Sequence, residues 1–256
     1  MRPQPKNTIS TRGKILGGPR PLVCIPLVGN KKDDIVAEAR NIPVLAPDAV
    51  ELRVDAWDFI EDLDFSVSMI GKVRNMIGEF PIILTCRSHK EGGFKEIPDE
   101  AKFALYQAAA DEKLVDYIDV ELSCGSDKID ALRRFLETCG ISMIISYHNF
   151  EKTPARDEIL SILASEIESG AGVAKIALMP QSEEDVLCLM SATLETRRMY
   201  PDTPLITMSM GEMGSISRVS GGFFGSDLTF AVGSKASAPG QISVDSMKRC
   251  FHVLYC

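Results

Sequence analysis

Gly170-Ala171-Gly172-Val173-Ala174-Lys175-Ile176-Ala177-Leu178-Met179 is an apolar run, opened by glycines and stopped by Pro180, with one lysine in its middle. A short apolar run between turn signals reads as a strand covered on both faces, the condition of a strand in a parallel sheet wrapped by helices. The lysine is the exception within it. Removal from water disfavours an ammonium and favours the neutral amine. A neutral amine attacks ketones and aldehydes, so Lys175 is a candidate Schiff-base former. The plainer alternative is a lysine at the sheet margin whose head group reaches water along its own alkyl stem.

Working outward, seven more strand-like runs flank this one: Leu22–Val28, Ala49–Val54, Ile82–Cys86, Tyr117–Leu122, Ile141–Tyr147, Leu205–Met208 and Leu228–Val232. Amphipathic stretches lie between them. Lys102–Lys113 and Asp127–Thr138 carry apolar residues at helical spacing, Ser182 opens a third helix with an acidic first turn, and Ser243–Leu254 closes the chain. Strand starts recur every ~25–35 residues, the length of a βα unit in a parallel sheet. Eight such units in 256 residues suit a closed (β/α)8 TIM barrel, which typically takes ~250 residues. Two smaller domains are the competing prior, but no Pro/Gly-rich linker separates them. The expected architecture is therefore α/β: an N-terminal extension over residues 1–20 and one barrel over residues 21–256.

Composition narrows the class of function. A hydrophobic content of 45% with 25% charged residues is that of a globular protein with a sizeable core. The net charge of −8 argues against a general partner of nucleic acid or anionic membranes. It leaves room for a small anion in a locally basic pocket. No run approaches the ~18 apolar residues of a membrane span, and the first seven residues lack the apolar segment of a secretory signal. The seven cysteines are scattered without a Cys-x-x-Cys pair, which suits reduced thiols in the cytoplasm. No Cys/His cluster has metal-ligand spacing, so no metal is expected.

Barrel chemistry sits at the C-terminal ends of the strands. At or just after those ends the sequence places Glu51, Arg53, Arg87, His148, Lys175 and Met208. Each has a structural reading by itself, as a buried pair, a barrel-mouth ion pair or a rim histidine; together they suggest a site. Amine plus imidazole suggests a carbonyl substrate: an iminium at Lys175 acidifies the adjacent C–H, and His148 is placed to remove that proton. Glu91 follows Arg87 in a loop whose Gly92-Gly93 pair allows it to fold back over the rim. From there Glu91 either orients His148 or is a plain surface carboxylate. Arg218 can offer a guanidinium to a substrate carboxylate. Ser237 and Gln241 place a hydroxyl and an amide before the last helix, where anions are favoured. A phosphorylated substrate is an open alternative there.

These residues carry a resemblance from about residue 20 to the C-terminus. Glu51-Leu52-Arg53-Val54-Asp55, Arg87-Ser88-x-Lys90-Glu91-Gly92-Gly93, Asp119-Val120-Glu121-Leu122, Ser146-Tyr147-His148-Asn149, Val173-Ala174-Lys175-Ile176-Ala177, Met208-Ser209-Met210-Gly211 and Ser237-Ala238-Pro239-Gly240-Gln241-Ile242-Ser243 occur in that order. The chain resembles the type I 3-dehydroquinate dehydratases. The resemblance implies a cytoplasmic shikimate-pathway lyase, serving aromatic amino acid biosynthesis, that converts 3-dehydroquinate to 3-dehydroshikimate and water. It implies no cofactor and no metal beyond the covalent imine at Lys175, a small anionic keto-acid as substrate, and a homodimer. Carried over by residue, Lys175 forms the imine, His148 moves the protons and Glu91 orients His148. Arg218, Ser237, Ala238 and Gln241 take the carboxylate and hydroxyl end, while Glu51, Arg53 and Arg87 take the ring hydroxyls and carbonyl region. Met208 and Met210 form an adaptable apolar wall. One position departs from the pattern: some relatives carry a serine in the first strand, where Pro26 offers no hydroxyl here. The rival readings are a class I aldolase on the same fold and a non-catalytic sensor built on it. Intact Lys175, His148 and Glu91 argue against the sensor.

Overall fold

The computed structural model describes residues 2–233 and 237–255. Eleven strands and eight α-helices alternate along it. A hairpin comes first, β1 (Ile9–Thr11) and β2 (Lys14–Leu16). The barrel strands are β3 (Leu22–Leu27), β4 (Ala49–Arg53), β5 (Ile82–Thr85), β6 (Tyr117–Glu121), β7 (Ser142–Asn149), β8 (Val173–Leu178), β9 (Leu205–Ser209) and β10 (Leu228–Val232), and a short β11 (Ile242–Ser243) follows. The helices are α1 (Lys32–Leu45), α2 (Leu63–Ile77), α3 (Asp99–Asp111), α4 (Ser126–Cys139), α5 (Arg156–Glu168), α6 (Glu183–Met199), α7 (Ser215–Ser220) and α8 (Val244–Leu254). Every barrel strand pairs in parallel with its neighbour, in the order β11-β10-β3-β4-β5-β6-β7-β8-β9. The sheet closes into a (β/α)8 barrel through a parallel bridge between Leu205 and Ser226. The eight expected strands are all present, with ends shifted by at most two residues.

The period-two alternation of each strand sorts its residues between two cores. Outward residues such as Val50, Leu52, Ile82, Leu84, Ile118, Val120 and Ile145 pack under the helices. Ala174, Ile176 and Leu178 of β8 do the same beneath α5 and α6. Inward residues fill the barrel. Its lower end is apolar, with Leu22, Ala49, Ile83, Tyr117, Ile144, Val173, Ile206 and Leu228, and Leu16 of the hairpin packs against them. The hairpin thus lies against the end opposite the site; its three-residue strands are too short to have shown a period in the sequence.

Above that floor the filling changes. Glu51, Asp119, Lys175 and Phe230, each the third residue of β4, β6, β8 and β10, meet at the barrel axis. Four side chains from alternate strands form one layer of a TIM-barrel interior, where branched apolar residues dominate. Here three of the four are charged. This corrects the expectation that Glu51 and Lys175 stand at strand ends: both sit mid-strand, and the pocket reaches down to them because the space above their layer is unfilled.

Candidate active site

A cavity of about 440 Å³ opens at the C-terminal end of the barrel. Its lining includes all twelve residues singled out above, Glu51, Arg53, Arg87, Glu91, His148, Lys175, Met208, Met210, Arg218, Ser237, Ala238 and Gln241, with Gly92, Phe150, Ala177 and Phe230. At its floor the Lys175 ammonium donates to Asp119 at 2.6 Å and to Glu51 at 3.4 Å, and lies 4.8 Å from the centre of the Phe230 ring. The lysine therefore does not snorkel. It is 3% exposed and is paired with two carboxylates at the barrel axis.

His148 projects from β7 above this floor. The Glu91 carboxylate accepts the His148 backbone N–H at 3.0 Å and lies 3.3 Å from Nδ1, leaving Nε2 to face the cavity. Ser123 holds the other Glu91 oxygen at 2.8 Å. Burial pushes the Glu91 carboxyl up to about 7, with Glu121 adding to the effect and Arg87 opposing it. Burial, together with Arg87 and Lys175, pushes the imidazole well below its ordinary range, so His148 is neutral and able to accept a proton. Glu91 is thus buried against His148 and is not a surface carboxylate.

The three arginines differ in how fully they are engaged. Arg53 is held bidentately by Asp55 at 2.9 and 2.8 Å and lies 5.1 Å from the Phe94 ring centre. Arg87 donates to Asp119 at 2.7 Å, Ser146 at 2.8 Å and Glu121 at 3.1 Å. Burial would raise the Asp119 carboxyl, but Arg87 and Lys175 outweigh it and hold it well below the usual carboxylate range. Arg218, 2% exposed, is different. It donates to the Pro239 carbonyl at 3.0 Å and approaches the Met208 sulfur at 3.6 Å, and its Nε has no partner among the described residues. Burial alone lowers it to about 10, because no carboxylate among the described residues answers it. A buried guanidinium at a pocket wall is suited to pair with an anionic group.

Two loops cover the rim. Gly92 has φ of +82°, and a Cβ there would lie 2.2 Å from the Phe150 ring. Gly240 has φ of +74°, and its Cβ would lie 1.8 Å from the Gly211 carbonyl. Only glycine permits both the left-handed turn and the close approach. The second loop is tied by Gln241 to Ser237, through a side-chain pair at 3.0 Å and a bond from the Ser237 N–H at 3.0 Å. Asp119, Glu121, Ser146, Thr85 and Ser123 were not assigned functions from the sequence. The signal for the first two was present: Tyr117-Ile118-Asp119-Val120-Glu121 puts both acids on the face of Tyr117. Among the described residues no group of three His, Cys, Asp or Glu side chains is arranged to hold a metal.

Comparison with known proteins adds an independent line. The sequence profile described as type I 3-dehydroquinase matches residues 23–256. A 3-dehydroquinate dehydratase of Bacillus licheniformis is 41% identical over 250 residues, 98% of each chain. One from Klebsiella pneumoniae is 42% identical over 233 residues, covering 91% of this chain and 93% of that one. Among solved structures, the 3-dehydroquinate dehydratase of Geobacillus kaustophilus superposes with a TM-score of 0.95 at 38% identity, over 99% of this chain and 98% of that chain. The type I enzyme of Clostridium difficile, solved with covalently modified comenic acid, gives 0.94 at 40% identity over 98% of both.

Proposed function

The chain belongs to the type I 3-dehydroquinase family, and from that premise we propose how its residues divide the reaction. The protein is a lyase that dehydrates 3-dehydroquinate to 3-dehydroshikimate through a Schiff base. The substrate carboxylate pairs with Arg218, with Ser237, Ala238 and Gln241 closing over it and Met208 and Met210 flanking the ring. Glu51, Arg53 and Arg87 face the hydroxyls and the ketone. Lys175, held by Asp119 2.6 Å away, gives its ammonium proton up toward the ketone oxygen, and the free amine adds to the ketone carbon. Loss of water from the carbinolamine leaves an iminium, which acidifies the adjacent C–H. His148 takes that proton, and the resulting enamine expels the β-hydroxyl as His148 returns the proton to it. One water then hydrolyses the conjugated iminium and frees Lys175, so the net change is loss of one water. Glu91 fixes the ring orientation of His148.

The observation that carries this reading is a buried lysine amine on the floor of a pocket whose wall holds a neutral, carboxylate-oriented imidazole. Family membership supports action without an added cofactor and assembly as a homodimer. The unpaired cysteines Cys24, Cys86, Cys124, Cys139, Cys188 and Cys250 support a cytoplasmic setting. Incubation with 3-dehydroquinate and borohydride, followed by peptide mass spectrometry, is expected to give a reduced adduct on Lys175. An adduct elsewhere, or none with the folded protein, would overturn the assignment. Lys175→Ala is expected to abolish turnover, and activity within about tenfold of the parent would contradict an electron sink at this residue.

A further inference from the structure

Six buried charges of alternating sign run in one row from helix α3 to the pocket floor. Lys102 Nζ donates to Glu121 at 2.8 Å, and Arg87 reaches Glu121 at 3.1 Å and Asp119 at 2.7 Å. Lys175 follows, at 2.6 Å from Asp119 and 3.4 Å from Glu51. No side chain in the row is more than 4% exposed. The chemistry described above uses the inner members and leaves Lys102 without a part.

Lys102 does not line the active-site cavity. It lines a second one, of about 870 Å³, on the other side of Arg87, with His89, Lys90, Glu61, Glu96 and Asp99. Within the wall between the two cavities, Glu121 accepts from Lys102 through one oxygen and from Arg87 and the Ser88 N–H through the other. The thiol of Cys124 approaches the same carboxylate at 3.6 Å. Burial opposes the Lys102 charge, and Glu121 restores it. In a medium of low effective dielectric a buried carboxylate that loses one of two cations acts on its surroundings over several ångströms.

The neighbour that such a change reaches is the Glu91–His148 pair. Facing that pair are the cations Arg87, 4.0 Å from Glu91, Arg53 and Lys175, and the anions Asp119 and Glu121. We propose that Lys102 is a positioning residue of the dehydration: it neutralises Glu121 from behind, leaves Arg87 free to hold Asp119, and so keeps the Glu91–His148 pair in its basic form at neutral pH. The proposal rests on the dehydratase reading above.

The experiment is a charge-balance series. Lys102→Met removes the cation and keeps an unbranched stem. Its expected effect is an upward move of the acid limb of kcat by about half a pH unit or more, with KM for 3-dehydroquinate within about twofold of the parent. Adding Glu121→Gln in the same chain removes the orphaned anion and is expected to return the limb to the parent position. Glu121→Gln alone leaves Lys102 in excess and is expected to move the limb downward, which keeps the test in force where Lys102→Met does not fold. A Lys102→Met profile that coincides with the parent, or a Glu121→Gln limb that moves upward, overturns the proposal. Nuclear magnetic resonance titration of His148 in the free protein must shift with the same signs and needs no turnover. Failure of the charge row is thereby separated from failure of the dehydratase reading, which the Lys175 adduct of the parent tests.

Discussion

Arg218 shows the conflict between stability and function within a single side chain. A guanidinium buried with no carboxylate beside it among the described residues carries a desolvation cost that its contacts with Pro239 and Met208 do not offset. Replacing it by methionine, apolar and of similar length, is expected to raise the melting temperature of the ligand-free protein. The same change removes a charge-assisted bond of ~1.5–3 kcal/mol to the substrate carboxylate, so KM should rise about tenfold to 100-fold. Kinetics and a thermal melt on one preparation read both effects; an unchanged KM removes Arg218 from the carboxylate site. The second residue with a definite pH signature is Glu91, its carboxyl raised by burial to about 7. As pH falls through that value Glu91 takes up a proton and stops orienting His148 as a carboxylate. The rate should therefore fall below pH 7 and level off above it. Glu91→Gln should lower the plateau and flatten this limb, and a variant that keeps the parent's limb would show that another group titrates there.

The rim loops act as elements. Residues 237–241 are joined to the β9–α7 turn by the Gly211 N–H to the Pro239 carbonyl at 3.2 Å and by the absent Cβ of Gly240. Gly240→Ala must push this loop away from the barrel, carrying Ser237 and Gln241 from the pocket. Misplacement of about 1 Å in a positioning contact costs up to ~100-fold in rate, so kcat/KM is expected to fall about tenfold to 100-fold. Stability should fall by only ~1 kcal/mol, the order of the backbone penalty; activity equal to the parent's would show that closure here is not needed. The barrel strands, unlike these loops, were legible in the sequence. Strands buried on both faces write themselves as continuous apolar runs, and in β4, β6 and β8 the charged residues Glu51, Asp119 and Lys175 that interrupt the run mark the inward face. What the pattern did not give was height. Period-two alternation says that Lys175 points inward but not that it lies in the same layer as Asp119, because the relative stagger of β6 and β8 is set by pairing through β7, where Lys175 stands opposite Ser146 and Asp119 opposite Ile144. The ion pair that holds the nucleophile was hidden for that reason, as was the Lys102–Glu121 contact, which joins a helix to a strand end.

At the scale of the molecule, a barrel is only as secure as its seam. Among the described residues β9 meets the segment leading into β10 through one bridge, Leu205 to Ser226, and side chains add to it: the Ser226 hydroxyl accepts from the Thr207 N–H at 3.0 Å and the Asp227 carboxylate from the Leu205 N–H at 2.8 Å. Asp227 is fully buried between two arginines, Arg197 from α6 at 2.5 Å and Arg2 from the start of the chain. Arg2 also donates to the Gly18 and Ser226 carbonyls, at 3.0 and 2.7 Å, so the first residues clasp the joint from outside. Removing one partner of a buried pair typically costs ~3–5 kcal/mol because the other charge is stranded. Asp227 would keep Arg197, so Arg2→Ala is expected to cost less, about 2 kcal/mol. For a chain of this size that corresponds to a fall of about 4–8 °C in melting temperature. Asp227→Ala strands two guanidinium groups and the Leu205 N–H at once and should cost more than Arg2→Ala. The active site lies at the far end of the strands, so the KM of folded Arg2→Ala should match the parent's. Urea unfolding of both variants tests the order: equal stability of Arg2→Ala and parent would show that the seam holds without the clasp, and the ranking of the two variants separates the contribution of the N-terminal arginine from that of the carboxylate it covers.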